Sequence, residues 1–216
     1  MKKLLAAVMI LVLLFCAAGA QAENAEELAP ELQMAQDLGM WTKSWVRSDI
    51  TIENFLTMLD KVVELLAPER LEEFQQLYPE AHDNYIGMKR CDGMAALYLT
   101  AQFLSEQYPA YMEFEFDSAL NDSIGEIWND YGPSIGAFPA LYEEDEMNTE
   151  DQLPGGEYAS NAYFYCISMK CPYGDSYLLD FSTANNSFRT GDVFTLKEAA
   201  IAAIRFYSIG NPEIAG

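Results

Sequence analysis

Basic residues are scarce in this chain: 12 Lys and Arg stand against 34 Asp and Glu, with a single histidine and a net charge of −22. Phosphate backbones are gripped by clustered Lys and Arg, so this balance excludes nucleic acid as a partner class. It also argues against docking on an anionic membrane surface. Cysteine is scarce as well. Of the 4 cysteines, Cys16 lies in an apolar leader, and Cys91, Cys166 and Cys171 form an odd remainder. That remainder fits neither a disulfide scaffold nor a zinc site. Cys166 and Cys171 can pair only where the helix expected around them stops early, because their spacing along a helix holds the Cα atoms too far apart. Buried, unpaired thiols are the expectation.

The usual marks of catalysis are missing too. The sequence holds no G-x-S-x-G elbow, no H-E-x-x-H and no phosphate-binding glycine loop. One histidine, His82, in a polar loop cannot support most triads or metal sites. No metal and no cofactor is implied, and the chain reads as a non-enzyme. Carboxylates are the one plentiful reactive group. Glu113, Glu115 and Asp117 would share a strand face, the arrangement a glycosidase needs. A solvated edge with Phe114 and Phe116 packed inward is the simpler reading. The acidic run at 143–146 lacks the ligand alternation of a calcium loop and reads as a charged loop.

What is present begins with an address. Lys2 and Lys3 precede an apolar run over residues 4–20, and Ala20-Gln21-Ala22 fits a small-x-small cleavage site. Residues 1–22 are therefore expected to be a signal peptide, and the mature chain to be secreted and free of the membrane. An uncleaved anchor and a lipid on Cys16 remain as alternatives.

The remainder reads as mainly helical. Residues 30–38 carry Leu32, Ala35 and Leu38 at helical spacing, with Pro30 before and Gly39 after as punctuation. A second helix opens at Thr51, with Phe55, Leu59, Val62, Val63 and Leu66 as its apolar stripe. A short acidic helix is expected over 68–78, and another over 90–108 with Met94, Leu97, Ala101 and Leu104 inward. Residues 111–156 form an irregular acidic insert, in which the alternation over 111–116 fits a short strand or an extended linker better than a helix. Helix returns over 157–170. The last helix follows Thr195, with Glu198 completing a capping box and Gly210 closing it.

Helix, loop and helix thus recur three times. The second helix of each pair follows Ile50-Thr51-Ile52-Glu53-Asn54, Met88-Lys89-Arg90-Cys91-Asp92 or Phe194-Thr195-Leu196-Lys197-Glu198. Recurrence on this scale means stacked units sharing one core. The third copy resembles an S-layer homology module: Thr195 and Glu198 match the first and last positions of the family's Thr-Arg-Ala-Glu signature. In the first copy Ala35 to Met40 resembles the first helix and its Leu-Gly turn, and Thr51 starts the signature. The second copy keeps mainly Lys89 and Arg90. The resemblance divides the mature chain into modules at 23–67, 68–110 and 157–216, with the insert at 111–156 between the last two.

The resemblance implies an all-helical pseudo-trimeric bundle that binds cell-wall polysaccharide, often through a pyruvylated sugar, at a bacterial cell envelope or surface. The family's signature Arg, which contacts the acidic sugar, maps to Ile52, Arg90 and Leu196. Only Arg90 keeps the charge. The candidate carbohydrate-binding residues are therefore Arg90 and its neighbour Lys89, Trp41 and Trp45 in the first copy's inter-helix loop, and Arg189 in the third copy's loop. The alternative is a secreted interaction module that keeps the fold, has lost sugar binding and meets a basic protein partner through its acidic surface. Thr195 and Glu198 are read first as a structural cap.

Overall fold

Thr51 and Thr195 decide where two of the longest helices begin. The computed structural model describes residues 30–41, 50–77, 88–115, 156–179 and 192–215. Thr51 has an extended backbone, and its hydroxyl accepts from the Asn54 amide at 3.1 Å, starting α2 at Ile52–Leu66. The Thr195 hydroxyl accepts from the Glu198 amide at 3.3 Å while the Glu198 carboxylate accepts from the Thr195 amide at 3.0 Å. That reciprocal pair satisfies two amides the first helical turn would leave open, and starts the last helix at Leu196–Gly210.

Before α2 comes α1, Pro30–Asp37. It ends as its punctuation predicts. Gly39 adopts a positive φ of 76°, its amide donates to Gln36 O at 2.9 Å, and the Met40 amide donates to Ala35 O at 2.8 Å. Glycine alone enters this left-handed turn without a Cβ penalty. After α2 the expected helix over 68–78 divides into a 3₁₀ turn, Pro68–Arg70, and α3, Leu71–Gln75. Then come α4, Arg90–Ser105, and α5, Gly156–Ser168. Leu196–Gly210 is α6. The described residues are thus mainly α, as the apolar periodicity predicts.

Helix α4 departs from the amphipathic pattern. Every residue from Arg90 to Tyr98 is buried, where only one face was expected inward. Gly93, Ala95 and Ala96 make this workable, because small side chains let neighbours approach from all sides. The Phe194 ring lies so close to Gly93 that a Cβ there would sit 2.6 Å from it.

One expectation is narrowed and another is refined. Of the short strand or extended linker expected over 111–116, no strand forms in the described part: Pro109–Met112 is a 3₁₀ turn, and residues 113–115 have no regular structure. Tyr111 explains why. It is fully buried, stacks 4.7 Å from the Phe206 ring and donates its hydroxyl proton to Phe206 O at 3.0 Å, so packing on α6 overrides the alternation. The described strands are instead β1, Lys170–Cys171, and β2, Ser176–Tyr177, an antiparallel pair. Their connection turns through Gly174 and Asp175, both at positive φ. Helix α6 ends at Gly210 as expected, but by a different means. Gly210 does not terminate α6 through a left-handed turn; it is the helix's last residue, and a Cβ there would meet Leu66 Cδ1 at 2.8 Å and the Tyr111 hydroxyl at 3.0 Å. Its smallness admits α2 and the Tyr111 turn.

One helix pairing brings the first and last helices together, and two others join chain neighbours. α1 packs against α6, α3 against α2, and α5 against α4, while α2 also touches α4 and α6. Ile50, Met88 and Phe194, which lie shortly before α2, α4 and α6, close a backbone ring. The Met88 amide donates to Ile50 O at 3.3 Å, Phe194 to Met88 O at 2.7 Å, and Ile50 to Phe194 O at 3.5 Å. All three are buried. Satisfying each amide from the next segment ties three distant stretches of chain into one core.

Candidate functional site

The ring brings the starts of α2, α4 and α6 together, and the candidate residues Lys89 and Arg90 lie on it. Lys89 forms an antiparallel bridge with Val193, and the Arg90 amide donates to Asp192 O at 3.0 Å. Lysine has no side-chain acceptor for a helix cap. Asp92 compensates, its carboxylate accepting from the Lys89 amide at 3.2 Å.

Arg90 is 2% exposed. Its guanidinium donates to Glu198 Oε1 at 3.0 Å and lies 5.7 Å from the centre of the Phe194 ring. The other oxygen of Glu198 accepts from the Thr195 amide and, at 2.9 Å, from its hydroxyl. One carboxylate therefore caps α6 and neutralises the cation at the start of α4. A buried charge is tolerable only when paired in this way. At the two positions that the sequence pattern aligns with Arg90, Ile52 is buried and Leu196 packs half-buried against the core. They bring no charge to the junction.

The structure gathers Arg90 and Lys89 but does not bring Trp41 to them as an exposed platform. Trp41 is 7% exposed and donates its indole proton to Leu32 O at 2.8 Å, fixing the chain after α1. Trp45 and Arg189 lie outside the described residues, as do His82, Asp117, Phe116 and the acidic run at 143–146. Residues 1–22 do too; among the described residues no helix is long and apolar enough to cross a membrane. Glu113 and Glu115 are exposed, and Phe114 between them packs edge-on against Tyr165 at 5.4 Å. That is the solvated-edge arrangement without a strand.

Cys91, Cys166 and Cys171 are free and buried. Helix α5 does stop before Cys171, yet the pair stays reduced. Burial pushes the Cys91 and Cys171 thiols up to about 12 and raises that of Cys166. Protonated thiols are poor nucleophiles and poor metal ligands. Among the described residues no cluster of His, Cys, Asp or Glu is placed to hold a metal ion.

Two partnerships had no local signal. Glu198 is readable as a cap, but its pairing with Arg90 spans the fold. Arg70, besides its local pair with Glu73 at 3.0 Å, lies over the Phe103 ring at 4.0 Å and bridges to Glu106 at 2.8 Å, tying the start of α3 to α4. In comparison with known proteins, the chain matches no family model, no curated protein and no solved structure.

Proposed function

We propose that the protein is a non-catalytic, secreted cell-envelope component that binds cell-wall polysaccharide through three S-layer homology-like modules. The observation that carries this reading is the ring of Ile50, Met88 and Phe194, each placed directly before a signature position. The cyclic packing of α1 on α6, α3 on α2 and α5 on α4 adds to it, because each first helix lies on the second helix of another copy. A pseudo-trimeric bundle requires an arrangement of this kind. Lys89 is more accessible than Arg90, which sets its surroundings.

A second reading is favoured by the pairing of Arg90 with Glu198 and by Ile52 and Leu196 at the other signature positions. It is an interaction module that keeps the scaffold and meets a basic protein through its acidic surface. Salt separates the two. Binding through specific sugar contacts survives high ionic strength, whereas an acid-to-base protein interface weakens steeply. Retention on purified cell walls, measured at low and high salt, supports the first reading if it persists and overturns it if it disappears.

A further inference from the structure

We draw no further inference here: the strongest candidate, the buried Arg90–Glu198 ion pair where the starts of α4 and α6 meet, belongs to the site already described.

Discussion

Arg90 and Glu198, 108 positions apart in the chain, meet at 3.0 Å, with the Arg90 side chain 3% exposed and that of Glu198 25% exposed. The contact joins the first residue of α4 to the capping residue of α6. Removing the Glu198 carboxylate takes a hydrogen-bonded counter-charge away from a buried guanidinium. Glu198→Ala is therefore expected to destabilise the fold by about 3–5 kcal/mol. Glu198→Gln keeps an acceptor at the third helical position and costs less. Urea unfolding of both variants checks this; a Glu198→Ala midpoint equal to wild type would show that the pair does not hold the junction.

The contact between Gly93 and Phe194 gives a second prediction. In Gly93→Ala the new methyl would sit 2.6 Å from a ring carbon of Phe194, which is itself fully buried and 5.3 Å from Phe55. Overpacking costs about 1–3 kcal/mol, against a helix-propensity gain of about 1 kcal/mol. A net loss is expected. Combining Gly93→Ala with Phe194→Leu relieves the clash, so the double variant should be more stable than the sum of the single losses predicts. Strict additivity in thermal unfolding would contradict the close approach.

The contrast between these two sites shows what was legible in the sequence. Caps were legible because their partners lie within one turn: Thr51 with Asn54, Thr195 with Glu198. Gly39 was legible for the same local reason. The strand option at Tyr111 fails because alternation yields a strand only where a partner strand exists, and here the partner is α6. Gly210 marks the helix end that its position predicts, but its second role, admitting Leu66 and Tyr111, has no local signal. The candidate site was half legible. Lys89 and Arg90 do stand at a junction, but the carboxylate that occupies Arg90 comes from the far end of the chain.

Alkaline pH tests the burial of the thiols. Their folded-state values are raised above the unfolded value of about 8.5, with Cys91 and Cys171 at about 12. The native state thus holds protons that the unfolded chain releases. Stability from this source is complete below the unfolded value and is lost as pH rises toward the folded one. The urea midpoint should fall as pH climbs from the high eights. Native protein at neutral pH should resist a thiol reagent that labels Cys91, Cys166 and Cys171 rapidly once urea is added; rapid labelling without urea would refute their burial.

Trp41 separates core from ligand surface. As a buried side chain bonded to Leu32 O, it should cost about 3–5 kcal/mol on change to Ala. Trp41→Phe should cost less, since it keeps an aromatic ring in place of the indole while losing the hydrogen bond to Leu32 O. Unchanged thermal stability in Trp41→Ala, together with weakened wall binding, would return Trp41 to the ligand surface.

The most direct test of the proposed function is co-sedimentation of residues 23–216 with purified bacterial cell walls, beside walls stripped of secondary polymer. The account predicts that the protein pellets with intact walls and stays in solution with stripped ones. Failure to pellet with either would contradict polysaccharide binding and leave the acidic interaction module as the reading that stands.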